Sequence, residues 1–214
     1  MNLIFVGPQG SGKGTQAKLV AEKFSLFYLE AGVIIRQKAK ENSPLGKRIN
    51  EIANVRGELL PDALTASLME EKLNLVDNRG VVFDGYPRNV AQFKVLEKYL
   101  QGKGEKIDKV FFLTLSKEES IRRLSGRRVC EKCKENFNLI TKTPKLAGIC
   151  SSCGGKLVQR SDDTPERIEA RLKEYQKQTT PLVLFSRKLG ILEEINGERP
   201  IEVIFEDILR RLKQ

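Results

Sequence analysis

The 214-residue sequence predicts an α/β fold: a parallel five-stranded sheet flanked by helices on both faces, with two insertions. Three observations carry the prediction. Short apolar runs alternate with segments whose apolar residues recur at helical spacing, the pattern of βαβ units. A glycine-rich turn bearing a lysine joins the first apolar run to the first helical segment. Two other stretches break the rhythm with compositions of their own. A chain of this length can bury a real core as one domain.

Strand-like runs fall at 2–6, 27–29, 80–84, 109–115 and 191–196. The segment at 17–24, behind the glycine turn, reads as the first helix, followed by helices at 64–76, 90–100, 117–124, 165–189 and 200–212. Pro165 and Pro200 sit where a helix's first turn tolerates proline. Residues 31–59 read as helical but less apolar, a small insertion. Residues 127–163 hold four cysteines, several glycines and many lysines, and form the second insertion. No internal repeat or low-complexity tract is visible.

Lys and Arg outnumber Asp and Glu by 38 to 28, for a formal charge of +10. Such a balance suits polyanions, nucleotides as well as nucleic acids. The basic residues are dispersed, however, so a solvated basic surface explains the charge equally well. There is no histidine. Imidazole acid–base catalysis and imidazole metal ligation are therefore excluded, and any catalysis must run on Lys, Arg, Asp and bound metal. The N-terminus shows no basic head before a long apolar segment, and no window reaches membrane-span length. A soluble, cytoplasmic protein without a membrane partner is expected.

Residues 7–16 read Gly-Pro-Gln-Gly-Ser-Gly-Lys-Gly-Thr-Gln, between a strand and a helix. This is the phosphate-cradling P-loop arrangement. Gly7, Gly10, Gly12 and Gly14 free the backbone so that N–H groups can converge on one anion. The helix terminus adds partial positive charge and Lys13 a full one. The generic motif places Ser or Thr directly after the lysine to touch Mg²⁺, whereas here Gly14 intervenes before Thr15. Thr15 is accordingly read as a phosphate contact.

The cysteines form two Cys-x2-Cys pairs, Cys130/Cys133 and Cys150/Cys153, with sixteen residues between them. That spacing marks a tetrathiolate zinc knuckle, its turns loosened by Gly148, Gly154 and Gly155. Four protein ligands fill zinc's tetrahedron, so such an ion would be structural. Its job would be to stiffen a lobe too small for a core of its own. Two disulfides, disfavoured in a reducing compartment, and a nucleic-acid-binding zinc ribbon are the alternatives.

Asp84, in Asp84-Gly85-Tyr86-Pro87-Arg88, ends an apolar run and is placed to hold Mg²⁺ directly or through water; a turn or cap aspartate is the plainer reading. Arg88 would then face a second phosphate. Arg123 and Arg127 precede the cysteine lobe, Arg160 and Arg171 follow it, and Asp162-Asp163 stands between the latter two. A lobe that closes over phosphates and brings arginines with it would position, neutralise and exclude water, the main needs of phosphoryl transfer.

The run 7–16, the block 84–88, Gly126-Arg127-Arg128-Val129 and Arg160-x-Asp162-Asp163 together resemble the adenylate kinases. The long cysteine lobe resembles their zinc-containing bacterial members. The resemblance covers nearly the whole chain. It implies a P-loop NTPase-type fold and reversible, Mg²⁺-dependent transfer of a phosphoryl group from ATP to AMP, giving two ADP. It also implies a core of residues 1–29, 60–126 and 164–214, an AMP-binding insertion at 30–59 and a zinc-binding lid at 127–163.

Carried over by position, Lys13 neutralises the transferring phosphate among ATP contacts Gly10, Ser11, Gly12, Gly14 and Thr15. Arg123, Arg127, Arg199 and Pro200 complete the ATP side. Ala31, Gly32, Arg36, Glu58, Leu60, Gly85, Arg88 and Gln92 line the AMP side, Gln92 reading the adenine. Arg127, Arg160 and Arg171 clamp phosphates from the lid, Asp84 holds the water shell of Mg²⁺, and Asp162 and Asp163 support closure. A monomer is implied.

The acceptor segment departs from the family's Ser/Thr-Thr/Ala-Gly-Asp pattern. Glu30 replaces a small residue and Val33 the acid, Glu58 stands where lysine is frequent, and Gln9 where Pro or a small residue is usual. The acceptor base therefore stays open between AMP and another nucleoside monophosphate such as UMP or CMP. Gln92 and the long lobe favour AMP. An ATP-switched zinc ribbon binding nucleic acid is the reading from a different class, against which the lobe offers only Phe137 for stacking. No nucleic-acid partner is expected.

Overall fold

The structure, a computed structural model, describes residues 1–56, 58–76, 79–160 and 163–213. In chain order the elements of the first half are β1 (Leu3–Val6), α1 (Lys13–Phe24), β2 (Phe27–Glu30), α2 (Ala31–Lys38), α3 (Pro44–Asn50), a π-helical turn (Glu51–Val55), α4 (Asp62–Leu73), β3 (Val81–Asp84) and α5 (Val90–Gln101). There follow β4 (Lys109–Thr114), α6 (Lys117–Ser125), β5 (Arg127–Cys130), β6 (Asn136–Asn138), β7 (Leu157–Val158), α7 (Pro165–Lys188), β8 (Leu192–Asn196) and α8 (Ile201–Leu212).

Five strands form one sheet in the order β2-β3-β1-β4-β8, and every pairing is parallel. A parallel sheet covered by helices must be apolar on both faces, which is why β1 reads as an unbroken hydrophobic run. Leu3 and Phe5 pack with Ala17, Val20 and Ala21 of α1 and Ile204 and Ile208 of α8. Ile4 and Val6 pack with Leu68 and Met69 of α4, Phe93 and Leu96 of α5 and Leu182 of α7. Phe5 and Phe111 stack with ring centroids 5.2 Å apart, locking β1 to β4. Truncating either ring would cost about 3–5 kcal/mol.

Local signals set the helix ends. Ser116 accepts a hydrogen bond from the N–H of Glu119, and Asn89 accepts one from the N–H of Gln92. Pro165 occupies the first turn of α7, as its fixed φ favours, whereas Pro200 lies one residue before α8 in an extended conformation. The helix expected at 64–76 runs instead from Asp62, behind extended Pro61, to Leu73. The strand expected at 27–29 runs one residue further, placing Glu30 opposite Asp84 in the β2–β3 register.

Within the region expected to be helical, α2, α3 and the π-helical turn span 31–38 and 44–55. The cysteine lobe is a three-stranded antiparallel sheet, order β6-β5-β7, whose apolar interior among the described residues is Cys130, Phe137, Cys150 and Leu157 with Cys153 against it. The chain leaves β1 toward β2 and β3, and later crosses to β4 on the other side. The loops at the carboxyl ends of these strands diverge, and the crevice between them is where α/β sheets bind ligands.

Candidate active site

Residues 7–12 form the loop that fills this crevice, and Lys13 opens α1. Gly12 has φ +84°, a conformation side chains resist, which turns the chain into the helix. The N-terminus of α1 has no side-chain cap and no acid in its first turn. Its N–H groups are thus left for an external anion. The buried hydroxyl of Ser11 has no hydrogen-bond partner among the described residues. Gly14 has a steric reason: a Cβ there would lie 2.7 Å from Asp84 Oδ2. Glycine after Lys13 thus lets the Asp84 carboxylate approach the start of α1 without displacement.

Cations converge on the same space. Burial lowers the Lys13 ammonium to about 8, and Arg88, Arg171 and Arg127 push the same way while Asp84 opposes them. The Arg88 guanidinium is likewise lowered by burial and by Arg36, against Asp84. Arg88 Nε donates to the Gly85 carbonyl at 2.8 Å, which fixes its direction. Arg127 and Arg171 share one buried carboxylate. Arg127 Nε donates to Asp163 Oδ2 at 2.7 Å, and Arg171 Nη1 donates to Oδ1 at 3.3 Å. Among the described residues, Lys13, Arg88, Arg127 and Arg171 gather beside Asp84 and Asp163, a cationic space that suits a polyphosphate.

Gln9 ties this loop to the lobe's far hinge, its Nε2 donating to the Arg171 carbonyl at 3.3 Å. The hydroxyl of Ser120 donates to the Gln9 carbonyl. Arg123 is buried and spent within the protein. It donates to Gly197 O at 2.8 Å, to Gly10 O at 3.5 Å and to Glu119 at 2.6 Å, joining the glycine loop to the β8–α8 turn. Arg199 lies at that turn and pairs with Asp207 at 2.6 Å, beside exposed Pro200. Thr15 is half-buried on the first turn of α1.

The carboxyl ends of β2 and β3 make a second wall. The Tyr28 hydroxyl donates to Asp84 Oδ2 at 2.9 Å and stands 3.5 Å from Glu30. Burial, then Asp84, raises the Glu30 carboxyl, and Arg36 at 3.2 Å holds it down. Arg160 acts on Glu30 in the same sense as Arg36, from beyond the cysteine lobe. Ala31 and Gly32 open α2, and Leu60 is buried while Glu58 is exposed. The Gln92 amide is oriented: Oε1 accepts from the Arg88 N–H at 2.8 Å, and Nε2 donates to Asp62 at 2.7 Å. Asp162 lies outside the described residues.

The four cysteine sulfurs lie within 4.8 Å of one another, in two tight turns. Cys130 and Cys153 are 3.5 Å apart and Cys133 and Cys150 3.6 Å, far too long for a disulfide. Arms of about 2.3 Å to a tetrahedral zinc imply sulfur–sulfur edges of about 3.8 Å, so the donor set and its spacing fit that ion. The Cys133 N–H points at Cys130 Sγ at 3.4 Å, as a thiolate there requires.

Sequence reasoning passed over Tyr28, Glu119, Ser120 and Asp62. The signals were weak: an alternating residue in a short strand, a capping-box acid, a helix serine and a first-turn acid. Each acquires its role only when distant segments meet.

The family model for adenylate kinase matches residues 5–191. The chain is 39% identical over 213 residues to an adenylate kinase of Caldanaerobacter subterraneus subsp. tengcongensis, covering 99% of this chain and 96% of the relative. It is 40% identical to one of Methanothrix thermoacetophila, covering 100% and 99% of the two chains. It is 41% identical to one of Pyrococcus abyssi, covering 97% and 94%. With a phosphate-cradling loop, converging cations and full-length identity of this order, the chain belongs to the adenylate kinase family.

Proposed function

We propose that the protein catalyses ATP + AMP ⇌ 2 ADP with Mg²⁺. The observation that carries this reading is the convergence of Lys13, Arg88, Arg127 and Arg171 beside the uncapped end of α1, with Asp84 against the glycine loop. Such a space suits a pentavalent phosphoryl group between two phosphate chains. The attacking atom is an oxygen of the acceptor's phosphate, already anionic at neutral pH. No general base is needed, which agrees with a chain that has no histidine. The new bond forms to the γ-phosphorus as the bond to the bridging oxygen of the departing ADP breaks.

In this reading Lys13, with Gly10–Thr15, holds the β- and γ-phosphates, and Arg88 and Arg36 hold the acceptor phosphate. Arg127, Arg160 and Arg171 close over the transferring group, and Asp163 aligns the first and last of these. Asp84 would hold Mg²⁺ through water, and the ion would neutralise charge that develops on the phosphates. Residues 30–59 serve as the acceptor insertion and 127–163 as the lid. Zinc on Cys130, Cys133, Cys150 and Cys153 would be structural, with no position for water. Arg123 acts as a strut beneath the ATP site. The family's usual state supports a cytoplasmic monomer.

A different acceptor base is the second reading, favoured by one observation: the Gln92 amide is already engaged by Arg88 and Asp62. Phosphoryl transfer from Mg-ATP to AMP, CMP, UMP and GMP, with a no-acceptor control, decides between them. Strong AMP preference is the expected result. Preference for a pyrimidine would change the acceptor, and acceptor-independent hydrolysis would sink the proposal.

A further inference from the structure

Glu30 ends β2, directly beside Asp84 in the sheet register and one residue before α2. Its Oε1 accepts from Arg36 Nη2 at 3.2 Å. Its Oε2 stands 3.5 Å from the Tyr28 hydroxyl, which is itself given to Asp84 at 2.9 Å. Among the described residues, the charged and titratable groups that act on it are Tyr28 on its own strand, Asp84 on β3, Arg36 on α2 and Arg160 from beyond the cysteine lobe. Between Glu30 and Arg36 the chain is Ala-Gly-Val-Ile-Ile, without another acid. The side chain is 30% exposed, open to the site from which an acceptor would approach.

We infer that Glu30 sets the affinity of the acceptor site: it is an internal anion that engages Arg36 until the acceptor's phosphate takes its place. The inference rests on the proposed phosphoryl transfer to a nucleoside monophosphate. A phosphate arriving between Arg36 and Arg88 meets two carboxylates, Glu30 and Asp84, side by side at the strand ends. Asp84 also lies against Gly14 at the start of α1 and acts on Lys13. The charge of Glu30 opposes the acceptor directly while engaging the cation meant for it. Charges a few ångströms apart at a half-buried site interact strongly enough to set affinity. The consequence is a weakened acceptor site with an unweakened catalytic centre, since the Glu30 carboxylate does not touch Lys13 or the glycine loop.

Steady-state kinetics on Glu30→Gln, which keeps the shape and removes the charge, test this. The KM for AMP should fall about five- to tenfold, with kcat and the KM for ATP within about twofold of wild type. In an Arg36→Ala background the same substitution should no longer lower the KM, because there is no cation left to release. If Glu30→Gln folds poorly, Glu30→Ser should give the same fall. An unchanged or raised KM for AMP, with wild-type turnover intact, would overturn the inference, the raised value making Glu30 a support for Arg36. A wild-type enzyme that phosphorylates no nucleoside monophosphate would overturn this inference and the proposed function together.

Discussion

The two ligand-binding regions of this molecule are built in opposite ways. At the carboxyl end of the main sheet, a large apolar core supports a concentration of like charge that is unfavourable until a ligand arrives. In the cysteine lobe the core among the described residues is four buried residues, two of them cysteines, and in the proposed reading a metal held by the four sulfurs would supply the cohesion. The first region spends folding energy on a site, whereas the second draws folding energy from one. Removing a charge from the first should therefore cost activity and not stability, and removing a ligand from the second should cost stability before activity.

The largest effect is expected from Lys13→Met. The loss of the ammonium should lower kcat/KM by about 10²–10³-fold, as for other preorganised charges aimed at a transition state. The melting temperature should stay level or rise, because the substitution removes the cost of burying a charge beside Arg88, Arg171 and Arg127, which outweighs the attraction to Asp84 that is lost with it. A clear fall in melting temperature would mean that Lys13 is structural, and the contrast between the two regions would break.

The opposite pattern is expected at Cys130→Ser. Zinc content should fall, measured by elemental analysis, and protease cleavage within residues 127–163 should accelerate. With so small a core the lobe has little else to hold it. Phosphoryl transfer should decline only as far as the lobe is needed to cover the phosphates. Full protease resistance after removal of metal by a chelator would show that the β5–β6–β7 sheet stands alone.

How far each region could be read from the sequence follows the same division. The sheet, α1 and the glycine loop were legible because their signals are local: apolar runs, a fixed glycine–lysine spacing, and proline at helix starts. The cysteine lobe was legible because two Cys-x2-Cys pairs have few other uses. What escaped was whatever depends on strand order. Glu30 meets Asp84 only because β2 lies next to β3. Arg123 was legible as a cation before the lobe, but not as a buried tie between Gly10 and Gly197, which forms only when α6 packs behind the loop. Gly14 departs from the common motif, and only the Asp84 carboxylate 2.7 Å from its missing Cβ accounts for it.

Asp163→Asn sharpens the comparison at the hinge between the regions. Its side chain is fully buried and pairs with Arg127 and Arg171. Neutralising it should lower the stability of the free protein by about 2 kcal/mol. A saturating level of Mg-ADP should recover most of that loss, since phosphates replace the missing anion. Loss without recovery would make Asp163 a plain structural partner rather than a stand-in for substrate.

The smallest effect concerns a single proton. Lys13 is lowered from about 10.5 to about 8, so in the free protein it is mostly charged at pH 7 and mostly neutral at pH 9. Bound polyphosphate restores the charge. Mg-ATP binding should therefore take up almost no proton at pH 7 and approach one at pH 9. Calorimetry in buffers of different ionisation enthalpy measures this, and Lys13→Met should abolish it. The stability counterpart has a definite sign. The unfolded chain keeps this proton up to about 10.5, and the folded chain releases it near 8. The destabilisation is thus full below pH 8 and fades as pH rises toward 10.5, so wild type should gain stability relative to Lys13→Met across that window. The gain appears in the ligand-free protein and should vanish when polyphosphate is bound. Uptake that stays flat from pH 7 to 9 would mean that Lys13 is charged throughout. Burial of Lys13 among the other cations would then be too weak to be the means by which the charged region selects polyphosphate.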